Sequence, residues 1–148
     1  MSRPLYTPEI LRLAVNVADF PRLAHPDASE EGRTPICGSR IVVDICVDAS
    51  GQVLGVGMDV HACAMGQAAA ALFARGACGR TADELEGAQL ALADWLSGKA
   101  ETPPDWPGIA VLSPAIAHSV RHAAILMPFR AGSGATKRAF SMGRGRAA

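Results

Sequence analysis

Two β-branched runs joined by one short turn constrain this chain more than any other feature. Residues 41–47 read Ile-Val-Val-Asp-Ile-Cys-Val, Asp48-Ala49-Ser50-Gly51 makes a turn, and residues 52–60 return as a second run. Runs of this kind bounded by turn residues form a hairpin. Ile41, Val43, Ile45 and Val47 fall on one face of the first strand, which leaves Val42, Asp44 and Cys46 on the other. Gly55 and Gly57 weaken the second strand and mark either a bulge or a close backbone approach.

Helices are expected on both sides of the hairpin. Thr7-Pro8-Glu9 is a helix start, with a capping hydroxyl, a proline at the first helical position and an acid near the dipole. Ile10, Leu13, Ala14 and Val17 then recur at helical spacing to about residue 18. Residues 20–35 hold three prolines and Gly32 among charges and read as an irregular connection. A small-residue helix is expected over 63–75, closed by Gly76. Thr81-Ala82-Asp83-Glu84 is a capping box opening a helix that buries Leu85, Ala88, Leu92 and Leu96 and stops at Gly98. A proline-rich loop carrying Trp106 follows, and Ser113-Pro114 opens a last helix to about residue 126, interrupted at Pro128. This order is α+β: an N-terminal helix, a small antiparallel sheet (a hairpin or a three-stranded meander), then several helices.

The chain has 148 residues, about one domain, with 49% hydrophobic and 19% charged residues. Only 5% are aromatic, so the core must be built mostly from Ala, Val, Leu and Ile. A formal net charge of zero removes any whole-protein argument for nucleic acid or an anionic membrane. Residues 131–148 nevertheless hold Lys137, Arg138, Arg144 and Arg146 and no acid, which leaves residues 1–130 at about −4. The division expected is a folded domain over 1–130 and a basic, solvated, disordered tail over 131–148. No apolar run approaches the roughly 20 residues needed to span a bilayer. The N-terminal segment is amphipathic, unlike a secretory leader, and the cytoplasm is the expected compartment. Four cysteines in such a chain read as thiols or metal ligands rather than a disulfide framework.

Cys37 lies in the tight Pro35-Ile36-Cys37-Gly38-Ser39-Arg40 loop before the hairpin. Cys63 lies where the second strand turns into the small-residue helix, at the positive end of the helix dipole. Both thus sit on adjoining strand ends, where they can converge on one metal or pack as small hydrophobes. Cys46, mid-strand, and Cys78, in a turn between helices with no partner at ligand spacing, read as structural or incidental. His118 and His122 share a face if one helix carries both. His61 is a further ligand or a neighbour of one, and His25 reads as exposed. No serine sits in a Gly-x-Ser-x-Gly elbow, and the Gly-Ser-Gly-Ala-Thr-Lys stretch lacks the ending and the preceding strand of a phosphate loop.

Pro35-Ile36-Cys37-Gly38, the hairpin, Ala62-Cys63-Ala64, Asp105-Trp106-Pro107 and Val120-Arg121-His122-Ala123-Ala124-Ile125-Leu126 occur in an order that resembles the U-type iron–sulfur cluster assembly scaffolds, the NifU, IscU and SufU family. The resemblance runs from Leu5-Tyr6 to about residue 130, and Asp-Trp-Pro is closest to the SufU branch. It implies the fold shared by SufE and NifU, and a site of three cysteines and an aspartate around a cluster or zinc. Cys37 matches the first cysteine, Cys63 the second, and His122 a histidine that precedes the third in some members. Ser39 stands where the family has Asp, and Ala123 where it has the third cysteine.

The resemblance therefore implies a non-enzymatic scaffold that holds iron, zinc or a transient Fe–S cluster through Cys37, Cys63 and His122. His118, His61, Ser39, a water, a thiol cofactor or a second subunit could complete the set. A cysteine desulfurase and acceptor apoproteins are the implied partners. Two alternatives stay open: a metal-free interaction module on the same fold, and a sulfurtransferase carrying a persulfide on Cys63 or Cys37.

Overall fold

The structure is a computed structural model and describes residues 4–35 and 38–147. The first helix, α1 (Pro8–Asn16), begins where the capping residues place it: the Thr7 hydroxyl accepts from the Ile10 N–H at 3.2 Å, and Pro8 fills the first helical position. A 3₁₀ turn, Val17–Asp19, closes it. Three strands follow, β1 (Ala28–Arg33), β2 (Arg40–Val47) and β3 (Val53–His61), in an antiparallel sheet of order β1-β2-β3. The hairpin is β2–β3, with Ile45 opposite Val56 and an irregularity at Cys46/Val47.

The sheet is the three-stranded meander, not the bare hairpin. β1 falls inside the stretch read as irregular. It alternates poorly because it is an edge strand carrying Glu30, Glu31 and Arg33, the charges that keep edges from pairing indiscriminately. Its Gly32 reads as a breaker but is a packing choice. A Cβ there would come within 2.9 Å of the Met127 side chain and 3.3 Å of Ile41.

One sheet face, with Ile41, Val43, Ile45, Val56 and Met58, is buried against the helical layer. Residues 20–27 cover the other face, and the anchor is Asp44. Its side chain is fully buried and accepts from Arg22 Nε at 2.7 Å, Arg22 Nη2 at 3.1 Å, the Leu23 N–H at 2.9 Å and the Ser29 hydroxyl at 2.5 Å. Burial alone would raise the Asp44 pKa; the hydrogen bonds from Arg22, Ser29 and Leu23 outweigh it and hold the carboxyl below its ordinary value. Gly57 marks the close backbone approach: a Cβ would meet the Pro21 carbonyl and lie 2.7 Å from the Leu23 nitrogen.

Helix α2 (Ala64–Ala77) is the central element and is buried along most of its length. It runs past Gly76, which seats the Trp106 indole instead of ending the helix; a Cβ there would lie 2.6 Å from the ring. Trp106 donates from Nε1 to the Leu72 carbonyl at 2.8 Å and packs with Phe73 and Phe129, its ring centroid 6.0 and 5.0 Å from theirs. Arg80 covers its outer face at 4.2 Å.

Helix α3 (Ala82–Leu96) starts with the expected capping box: the Glu84 N–H donates to Thr81 Oγ1 at 3.3 Å, and the Thr81 N–H to Glu84 Oε1 at 3.2 Å. Thr81→Ala should therefore cost about 1 kcal/mol in a urea denaturation experiment. An unchanged midpoint would mean that packing alone sets this helix start.

The C-terminal third corrects two expectations. No single helix runs from Ser113. A 3₁₀ segment, Ile109–Ala117, contains Pro114, and a second, Ser119–Arg121, leads into α4 (His122–Ala147). α4 then continues through Pro128 and through the segment expected to be a solvated tail. Ala131, Ala135 and Ala139 are buried, and Phe140 reaches the hairpin turn, where a Cβ on Gly51 would lie 3.0 Å from its ring. Gly132 permits the contact with α2, because a Cβ there would clash with the tip of the Phe73 ring. Arg138 pairs with Glu30 at 3.2 Å and donates to the Ser29 carbonyl. Among the described residues no helix is long and apolar enough to cross a membrane.

Candidate functional site

Cys63 is the residue that begins α2. It has extended geometry (φ −64°, ψ 167°), its side chain makes no capping bond to the helix, and the residue is half-buried. Tyr6 and Arg121 lie close enough to Cys63 to interact with it electrostatically. Burial first, then the neighbouring Cys63, push the Tyr6 pKa above its ordinary value, with Arg121 acting in the opposite sense. Tyr6 and Arg121 belong to the site but were not singled out from the sequence. Their signal was faint: each falls in a motif quoted for the family resemblance, with no spacing that ties it to a cysteine.

The start of α2 meets the start of α4. Gly66, one turn beyond Cys63, leaves room for Ala124: a Cβ on Gly66 would lie 3.3 Å from the Ala124 Cβ and 2.8 Å from that of Ala62. His122 is the first residue of α4. Its Nε2 lies 2.8 Å from the Ala115 carbonyl oxygen. A carbonyl only accepts, so Nε2 donates in this contact, and the tautomer it selects for the neutral ring leaves the lone pair on Nδ1.

His118 does not share a helix face with His122. It joins the two 3₁₀ segments with φ −123° and ψ 75°, outside helical geometry, so the four-residue spacing no longer aligns the rings. His61 is exposed at the end of β3, with Nε2 3.2 Å from Asp59 Oδ1, and Arg40 lies opposite it on β2.

The loop between β1 and β2 is held by Thr34 and Ser39. The Thr34 N–H donates to the Ser39 carbonyl at 2.9 Å, the Gly38 N–H to the Thr34 carbonyl at 3.2 Å, and the Ser39 N–H to Thr34 Oγ1 at 3.1 Å. Both side chains are buried, at 5% and 4% exposure. Cys37, and Ile36 before it, lie outside the described residues. Thr34 and Pro35, leading to it, line the same cleft as Ala123, so this loop and the start of α4 adjoin.

Among the described residues no three His, Cys, Asp or Glu side chains form a group able to hold a metal. The donor-bearing residues at the starts of α2 and α4 are Cys63 and His122, and Ala123 contributes no donor. Cys46 and Cys78 are elsewhere, their sulfurs near the His25 and Leu54 carbonyls at 3.5 and 3.6 Å.

No family model and no curated protein matches the sequence. Solved structures do. The crystal structure of a nitrogen-fixing NifU-like protein (N-terminal) from Brucella abortus aligns with 93% of this chain and 95% of its own, at 30% identity and a TM-score of 0.84. A protein of Fervidobacterium islandicum AW-1, assigned to iron–sulfur cluster assembly as a scaffold for the SUF system, aligns with 89% of this chain and 96% of its own. Its TM-score is 0.80 at 19% identity, a likeness of fold. The first of these matches, at 30% identity over nearly the whole of both chains, shows that this chain belongs to the NifU-like, U-type family of iron–sulfur cluster assembly scaffolds.

Proposed function

We propose that this protein is a cluster-assembly scaffold, not an enzyme, whose cargo is iron or a transient iron–sulfur cluster held by Cys63 and His122 together with Cys37. Zinc is the alternative occupant. A cysteine desulfurase would supply sulfur and acceptor apoproteins would take the cargo. The observation that carries this reading is the junction of α2 and α4, which sets an uncapped Cys63 beside the first turn that bears His122.

The chemistry of the donors fits. A thiolate is a soft ligand suited to iron–sulfur clusters and zinc. A histidine that donates its other ring N–H to a backbone carbonyl, as His122 does to Ala115, is held in the tautomer and orientation a ligand needs. Ala123 leaves the set one protein donor short, which favours an open position and release of the cargo over a closed structural site. Buried Ser39 adds a neutral hydroxyl, a weaker donor than a carboxylate.

The test is elemental analysis of protein purified without oxygen, on the wild type and on Cys37→Ser/Cys63→Ser. Near-stoichiometric iron or zinc that the double substitution removes is the expected result. Equal and negligible metal in both would favour a metal-free interaction module on this fold, the reading that Ala123 supports.

A further inference from the structure

β1 is an edge strand, with β2 on one side and, among the described residues, no strand on the other. Which of its backbone groups face outward follows from the ladder. The Thr34 N–H bonds the Ser39 carbonyl one step beyond the strand and in its register, and hydrogen bonding alternates along an antiparallel pair. Glu30 and Gly32 therefore bond β2, while the N–H and C=O groups of Ser29, Glu31 and Arg33 point away from it. The Ser29 carbonyl agrees in phase, since it accepts from Arg138 of α4. Pro35 has no N–H to offer, so the open edge is limited to residues 31–33.

The space beside this edge is a cleft of about 280 Å³, walled by Glu31, Arg33 and Pro35 on one side and by Met127, Arg130 and Ala131 of α4 on the other. α4 packs on the Gly32 face of β1, so the cleft opens along the outer edge of the strand rather than between its face and the helix. Charges along β1 would repel most strands, but they complement their own copy. In an antiparallel pairing about a twofold axis at Gly32, Glu31 lies opposite Arg33 of the second copy, and Arg33 opposite its Glu31. These are the two residues whose backbone groups face outward. Within one chain Arg33 Nε already lies 2.7 Å from Glu31 Oε1, so the four charges would alternate in sign around the axis.

We propose that β1 pairs with β1 of a second copy in this register, joining the two sheets into one. The ladder ends naturally on each side, because Pro35 meets Ser29, whose carbonyl Arg138 already occupies. This inference stands whether or not the α2–α4 junction carries a cluster.

Sedimentation equilibrium of the full chain up to about 1 mM, the weak end of specific association, tests it. The expected result is a monomer–dimer equilibrium. Arg33→Glu and Glu31→Arg should each weaken it about tenfold or more, since both symmetric pairs turn repulsive. Glu31→Arg/Arg33→Glu should restore it, because the swapped pair is again self-complementary. On the wild type, amide exchange at residues 31 and 33 should slow as concentration rises. A monomer throughout, a dimer indifferent to the single reversals, a double variant that fails to recover, or exchange independent of concentration would each overturn the proposal.

Discussion

Trp106→Ala is expected to cost about 4 kcal/mol, the range for removing a large buried aromatic from a packed core. Trp106 closes the only three-aromatic cluster among the described residues, with Phe73 and Phe129, in a core where Trp95 is the other fully or nearly buried aromatic and the rest is mostly aliphatic side chains and alanine. The substitution also leaves the Leu72 carbonyl without the indole donor and Arg80 without the ring it covers. Trp106→Phe separates these contributions: it keeps most of the apolar volume and removes the N–H, so about 1 kcal/mol of the loss should remain. Thermal unfolding should show the alanine variant melting lower by about 10 °C or more. A shift of only a degree or two would mean that the loop at residues 101–107 is not docked against α2.

Asp44→Asn is expected to cost about 2–3 kcal/mol. One fully buried carboxylate ties Arg22, Leu23 and Ser29 to the sheet, between the anchors at the two ends of residues 20–27, where the Phe20 carbonyl accepts from Met58 and the Asp27 N–H donates to the Ile45 carbonyl. The figure is below that of a wholly buried pair because the Arg22 side chain is 49% exposed and keeps part of its hydration when the partner is lost. The pH dependence has a definite sign. The folded-state pKa of Asp44 is lowered, so below the ordinary aspartate value, about 3.9, the unfolded chain binds the proton more readily. The stabilisation is complete above that value and is lost as pH falls through the folded one. Urea midpoints of wild type and Asp44→Asn should differ fully at pH 7 and converge below about pH 4. A gap unchanged in acid would contradict the assignment of the stability to this carboxylate.

How much of this was legible beforehand depended on how unambiguous each local signal was. Thr7-Pro8 and the Thr81/Glu84 box mark helix starts with specific hydrogen bonds, and both are where the sequence places them. The hairpin followed from period-two burial in residues 41–47. Glycine misled three times for one reason. Gly32, Gly76 and Gly132 look like breaks or flexibility, yet each removes a Cβ so that Met127, Trp106 or Phe73 can pack closely. A glycine chosen for contact and one chosen for freedom are the same letter. That ambiguity hid β1 and turned the second half of α4 into an expected tail.

The site was less legible than the fold. The helix-start position of Cys63 could be read from the strand-to-helix switch, and the structure confirms that position. The His118/His122 pairing assumed one α-helix, and Pro114 within a 3₁₀ segment removes that assumption. The interaction of Tyr6, before α1, with Cys63, after β3, joins residues far apart in sequence, and no local pattern encodes it.

The central claim is that Cys63, with His122, holds cargo for assembly, and anaerobic reconstitution with ferrous iron and sulfide tests it most directly. Visible absorption and iron content would be followed on wild type, Cys63→Ser and His122→Ala. The account predicts charge-transfer bands and bound iron in the wild type, abolished by Cys63→Ser and weakened by His122→Ala, with all three proteins equally folded. A wild type that takes up no iron, or bands that survive Cys63→Ser unchanged, would contradict it.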